Sequence, residues 1–173
     1  DPALARAHVA IYAPGVSAQD PRRYAAAVLA TCLGDSSGSR LYWALVDKGL
    51  AESASLTHDG NDRVGAFVGY LATAPEQVGP VLEAYLATLR GAETGLNAEE
   101  WARAQRKLAT ALTLHAETPF GRLMSLGSSY LYTREYASLT AVVGRAFSAP
   151  IDDAMALVAE RPFSRPFAFT LRP

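Results

Sequence analysis

The sequence predicts an α+β fold, an antiparallel sheet with helices packed on one face. Three observations carry this reading. Strand-like alternation is concentrated in the first 72 residues and returns only at the end of the chain. Helical periodicity dominates from Val78 to Glu160. Asp59-Gly60-Asn61-Asp62 stands between two alternating runs, a hairpin signal that pairs neighbouring strands antiparallel. Strands early and helices late place the helices on one side of a sheet, as a two-layer α/β sandwich.

In chain order, Ala7 to Ala13 alternates with Val9 and Ile11 on one side, and Pro14-Gly15 ends that strand. Asp20-Pro21 reads as a helix start, a carboxylate cap followed by proline at the first helical position. Tyr24, Val28, Leu29 and Cys32 then form a core-facing stripe. Gly34 to Gly38 is a loop of turn-forming residues, and Ser39 to Lys48 has helical character around Leu41, Trp43 and Leu45. Gly49 falls where a left-handed helix cap belongs. Glu52 to His58 and Val64 to Ala72 are the two arms of the hairpin.

Thr73 and Glu76 have capping-box spacing, and Val78, Val81, Leu82, Tyr85, Leu86 and Leu89 mark one face of the helix that follows. Gly91 and Gly95 stop it. Asn97 with Glu100 opens another long helix, with Trp101, Ala104, Leu108, Ala111 and Leu112 on its apolar side. After Pro119, a helix from about Phe120 to Tyr132 carries Leu123, Met124, Gly127 and Leu131. Ser138 to Phe147 and Ile151 to Glu160 are two shorter helices separated by Pro150, and Phe167 to Leu171 alternates as a last strand. The 173 residues read as one domain, long enough to bury a substantial core, without repeats or linkers.

Composition narrows the function. Sixteen basic residues against 17 acidic ones, spread along the chain, argue against nucleic acid as a partner. No run of 18 apolar residues offers a membrane span. Cys32 is alone, so no internal disulfide forms. No charged-then-apolar leader opens the sequence, which leaves a bacterial cytoplasm or periplasm equally open. His8, His58 and His115 lack a second histidine or a cysteine at metal-ligand spacing. Gly34, Ser36 and Gly38 satisfy the letters G-x-S-x-G, but a nucleophile elbow needs a strand before it and here a helix comes first. The loop also lacks the lysine of a phosphate-binding loop.

Ordered along the chain, Leu33-Gly34, Ser39-Arg40-Leu41, Gly49-Leu50-Ala51, Thr73 to Glu76, Glu99-Glu100 with Ala104 and Lys107, Gly121-Arg122 and Leu126-Gly127 give a recognisable series. It resembles the C-terminal half of insulinase/pitrilysin-type zinc metallopeptidases, which include mitochondrial processing peptidase. The resemblance implies an enzyme of two similar halves. The N-terminal half carries H-x-x-E-H and a distant glutamate, and there zinc activates water. The C-terminal half lacks the metal and closes over the substrate. This chain contains no H-x-x-E-H. The expectation is therefore no catalytic residue and no cofactor here, with zinc in the other half. The expected partners are that catalytic half in cis, or a homologous catalytic subunit, and a peptide substrate; a homo-dimer is left open.

Family members often pair an arginine with a tyrosine seven residues later, at the end of a G-L-A-Y string, to hold the substrate backbone. Here the string is Gly49-Leu50-Ala51-Glu52, and seven residues before Glu52 stands Leu45. The pair is absent. Glu52 and Ser53 remain the candidate substrate-contact residues by position. The alternative reading is a peptidase-like domain that serves assembly without proteolysis.

Overall fold

The computed structural model describes residues 5–173. Its sheet is built from β1 (Ala7–Gly15), β2 (Ser53–Gly60), β3 (Gly65–Thr73) and β4 (Phe167–Leu171), in the order β2-β3-β1-β4. Every neighbouring pair is antiparallel. The helices are α1 (Arg23–Gly34), α2 (Val78–Arg90), α3 (Ala98–His115), α4 (Pro119–Thr133), α5 (Leu139–Phe147) and α6 (Ile151–Ala159). The α+β expectation holds, with the early strands and the late helices where the patterns put them.

The pleat separates two faces. Val9 and Ile11 of β1, Ala54 and Leu56 of β2, and Phe67 and Leu71 of β3 point to the helices and are buried. They meet Val28, Leu29 and Leu33 of α1 and Val81, Tyr85 and Leu89 of α2 in one core. Trp101 and Ala104 of α3 and Leu157 and Val158 of α6 complete it. Within this core the Tyr85 hydroxyl donates to the Ser55 carbonyl at 2.6 Å, so burying the phenol leaves no polar atom unpaired. Leu82, Leu86 and Leu108 pack against the same core but are only partly buried.

Several local expectations need correction. The helical character of segment 39–48 takes a π-helical form. Tyr42–Val46 forms a π-helical turn in which the Asp47 N–H donates to the Tyr42 carbonyl at 2.9 Å. The wider turn sinks Leu45 fully into the core. Gly49 ends it with φ of 69°, in the left-handed region, as read from the sequence. Asp20 does not cap α1, which begins at Arg23; its carboxylate instead accepts the Arg22 N–H at 2.7 Å and holds the turn before the helix. Thr73 does not cap α2 either. It is the last residue of β3, and its hydroxyl donates to the Leu50 carbonyl at 2.8 Å. The hairpin turns later than Asp59-Gly60: the strands pair as far as Gly60 and Gly65, and the Asn61 N–H donates to the Val64 carbonyl at 2.8 Å. A Cβ on Gly65 would meet the Val16 carbonyl oxygen, which fixes glycine at that strand start.

The box at Asn97 forms as expected. The Glu99 N–H donates to the Asn97 side chain at 2.7 Å, and Glu100 accepts the Asn97 N–H at 2.7 Å. Thr118 and Ser138 cap α4 and α5 through their hydroxyls. No helix among the described residues is long and apolar enough to cross a membrane.

Candidate functional site

The candidate residues sit where edge strand β2 begins. The Glu52 N–H donates to the Ala72 carbonyl at 2.9 Å, one last rung beyond the Ser53 pairing with Ala72. The Glu52 side chain is 66% exposed and meets the Arg6 Nε at 3.1 Å. Ser53 lies on the sheet face opposite the helices, in one row with Ala72, His8 and Leu171. Among the described residues the outer edge of β2 carries no further strand of this sheet.

The Gly34 to Ser39 loop stands apart from this point. A Cβ on Gly34 would strike Leu56, so the loop leaves α1 against the middle of β2. The Ser39 hydroxyl donates to the Asp35 carbonyl at 2.6 Å and accepts the Tyr42 N–H at 3.1 Å, which launches the next turn. Lys107 of α3 binds the Asp35 carboxylate and the Ser37 carbonyl, and its Nζ also lies 3.0 Å from Ser37 Oγ. With the lysine held by a carboxylate, the cluster fixes the loop to α3. Among the described residues no hydrogen bond or ion pair joins this loop to Glu52.

His8 and His58 are each held by a different partner. His8 Nδ1 and the Tyr70 hydroxyl share a hydrogen bond of 2.6 Å on the open sheet face. His58 Nε2 accepts the Val16 N–H at 3.2 Å, with its ring edge-on to Phe67. Burial lowers its pKa, and a ring accepting an N–H at Nε2 is the neutral one. His115 ends α3. Among the described residues no group of three His, Cys, Asp or Glu could hold a metal ion. The described side chains do not fit a zinc site.

Arg63 and Tyr70, spaced like the family's substrate-holding pair, are not one. Arg63 sits in the hairpin turn with φ of 60°, and Tyr70 is engaged with His8. Leu45, at the position where that pair would place its arginine, is fully buried.

Sequence patterns did not disclose the open face of the sheet. Tyr12 pairs with Phe167, Ala10 with Phe169 and His8 with Leu171, so the large side chains of β4 lie beside those of β1. Tyr12, Tyr70, Phe167, Phe169 and Leu171 are all exposed there, Phe169 at 59%. The alternation of β4 was legible; which of its two faces is open was not.

The described residues thus form a two-layer sheet-and-helix domain with an open apolar sheet face and a serine loop anchored to α3. The sequence of residues 1–108 matches the family described as the peptidase M16 inactive domain, and the chain belongs to that family. An uncharacterized zinc protease of Streptomyces coelicolor is 32% identical over 170 residues, 97% of this chain and 37% of the relative. The chain thus spans little more than a third of that relative's length. Among solved structures, a chain of Complex III2 from Candida albicans superposes with a TM-score of 0.85 at 17% identity, over 97% of this chain and 43% of that one. An inactive peptidase domain from Bordetella parapertussis gives 0.81 at 22%, over 97% and 93%. A protease from Helicobacter pylori gives 0.82 at 17%, over 100% and 43%. At these identities the structures establish the fold alone.

Proposed function

We propose that residues 1–173 form one domain, the non-catalytic half of a zinc metalloendopeptidase. It encloses peptides or unfolded protein against a catalytic half that carries H-x-x-E-H and the zinc. That half is joined in cis or supplied as a homologous subunit. The carrying observation is the open sheet face. Tyr12, Tyr70, Phe167, Phe169 and Leu171 present adjacent apolar side chains with no layer of the described residues above them. Exposed contiguous apolar surface marks an interaction site. Family membership and the likeness to a zinc protease of more than twice this length support a catalytic half as the occupant. Glu52 and Ser53 lie at one end of that face, on an edge strand able to receive an extended peptide.

The test is reconstitution with a catalytic half in cis or in trans. The expected result is a stable complex that cleaves a fluorogenic peptide, loses activity to a chelator and regains it with zinc. Phe169→Asp with Tyr70→Glu on the open face should abolish assembly while leaving the isolated fold intact. Neither complex nor cleavage would overturn the proposal.

One observation favours a second reading, an assembly domain without a role in cleavage. Leu45 is buried at the position where the family's substrate-holding arginine belongs. On this reading the two halves associate and no peptide is cut.

A further inference from the structure

Helix α4 is mounted inside out. Its hydroxyl-bearing side, with Ser125, Ser128, Ser129, Tyr132 and Thr133, lines a cleft of about 260 Å³ that also takes in Tyr24 and His58. Its apolar stripe faces solvent. Phe120 is 69% exposed and Leu123 65%, and Met124, Tyr130 and Leu131 are exposed with them. Gly121 is the helix's one fully buried residue. At 3.6 residues per turn, positions 120, 123, 124, 127, 130 and 131 all fall within about 60° of a line through Gly127.

Gly127 has an unexplained place in that line. It is exposed at mid-helix, and no described residue lies within 4 Å of where its Cβ would stand. A glycine inside a helix weakens it relative to alanine, so the missing side chain has no use within the fold. It does suit a body that approaches α4 closely from outside.

The stripe is also self-complementary about Gly127. Met124 and Tyr130 flank it three residues away on either side, Leu123 and Leu131 four, and Phe120 and Arg134 seven. We propose that α4 is the interface with a second copy of this chain, the two α4 helices crossing antiparallel at Gly127 in a two-fold dimer. A two-fold contact requires that residue i meet j while j meets i. The antiparallel crossing supplies this, setting Leu123 of each copy against Leu131 of the other and Met124 against Tyr130. Arg134, whose guanidinium lies 5.9 Å from the Tyr130 ring centroid, comes to the Phe120 ring and the neighbouring Glu117 of the other copy. The positive end of each helix then faces the negative end of its mate. With glycine at the crossing the two backbones approach closely. A contact through a single helix is small, and the dimer is expected in the micromolar range.

Sedimentation velocity of the chain over a concentration series tests this, and the Bordetella domain, which matches over 93% of its length, is a precedent for handling such a domain alone. The wild type should pass from monomer to dimer as concentration rises. Gly127→Trp, Leu123→Glu and Leu131→Lys should each stay monomeric with far-UV CD retained and no loss of melting temperature, because all three positions are exposed. Mixing the Leu123→Glu and Leu131→Lys chains should restore a dimer, since one of the two leucine contacts becomes a Glu–Lys pair and the other is untouched. A parallel or nonspecific contact would not be rescued by that mixture. A wild type that stays monomeric to its solubility limit overturns the proposal, as does a dimer that survives the single substitutions. Protection of α4 by a catalytic half, with no self-association of the chain, overturns it too.

Discussion

Arg40 and Glu100, sixty residues apart in sequence, meet in a two-pronged ion pair, with Nη2 to Oε1 at 2.5 Å and Nε to Oε2 at 3.2 Å. Arg40 also donates to the carbonyls of Gly91 and Gly95, while Glu100 accepts the Asn97 N–H that closes the α3 cap. One guanidinium thus ties the π-helical turn to the end of α2 and the start of α3. Burial pushes the Glu100 carboxyl up, but the hydrogen bonds from Arg40 and Asn97 outweigh it and hold the pKa below the usual carboxylate value.

Removing Arg40 takes a donor from the Gly91 and Gly95 carbonyls and leaves the largely buried Glu100 carboxylate with the Asn97 N–H but no counter-charge. Arg40→Ala should therefore cost about 2–4 kcal/mol in denaturant melts, below the full figure for a wholly buried pair. A depressed folded pKa means that the unfolded chain takes up the Glu100 proton first. The stability from this pair is present above the ordinary glutamate value of 4.5 and is lost as pH falls through the lower folded value. Glu100→Gln should flatten the acid limb of a melting-temperature profile relative to wild type.

His58 supplies a second pH dependence in a higher window. Its folded pKa is lowered by burial, so the neutral ring is favoured in the folded state and the unfolded chain binds the proton more readily. Stability should be complete above the ordinary histidine value of 6.5 and decline as pH falls below it. His58→Phe removes that dependence but leaves the Val16 N–H without its acceptor, at about 1–3 kcal/mol near neutral pH. Thermal melts at pH values on either side of the window check both statements.

The core allows a comparison along one helix. Leu89 is fully buried and Leu86 only partly, although both belong to the stripe that the periodicity of α2 picks out. Leu89→Ala should cost about 2–5 kcal/mol, and Leu86→Ala distinctly less, because part of its surface is already wet. Equal losses in urea melts would show that the two sites are equally enclosed.

Cys32 lies in the same core, 5% exposed. Burial first, and the nearby Glu100 carboxylate second, push its thiol up to about 12. The one cysteine of the chain should therefore resist a thiol reagent in the folded protein at mildly alkaline pH, and react fully once the protein is unfolded. Rapid reaction of the native protein would show that α1 opens readily.

These residues also show how far the sequence reaches. Strands and helices were legible because Val9, Ile11 and the Val78–Leu89 stripe repeat with the periods of the structures they form. Two of the local misreadings concern side chains with two uses. Thr73 had cap spacing but serves strand β3, and Asp20 had cap chemistry but closes the turn before α1. Which face of an alternating or amphipathic element is covered is a tertiary property. Phe167, Phe169 and the α4 stripe look like core residues in sequence and face solvent in the structure. Arg6 could not be read as the partner of Glu52, because only the sheet brings residues 46 apart together.

That pairing shapes what Glu52 can do in a reconstituted peptidase. If Glu52 faces the substrate, its charge should favour basic peptides over acidic ones, but Arg6 stands against it and cancels part of the field. The two substitutions should therefore act in opposite directions. Glu52→Gln should lower the ratio of basic-peptide to acidic-peptide cleavage, and Arg6→Ala should raise it. Both side chains are more than half exposed, and an exposed charge pair is worth about 0–1 kcal/mol, so each shift should be no more than several-fold. For the same reason neither change should move the melting temperature of the isolated chain appreciably, which separates an effect on substrate from an effect on fold. The shifts should shrink with added salt, as screening of solvent-exposed charges requires. Competition assays with matched basic and acidic peptides at low and high ionic strength measure them. Unchanged ratios in both variants would make Arg6–Glu52 an ordinary surface pair and remove Glu52 from the substrate surface.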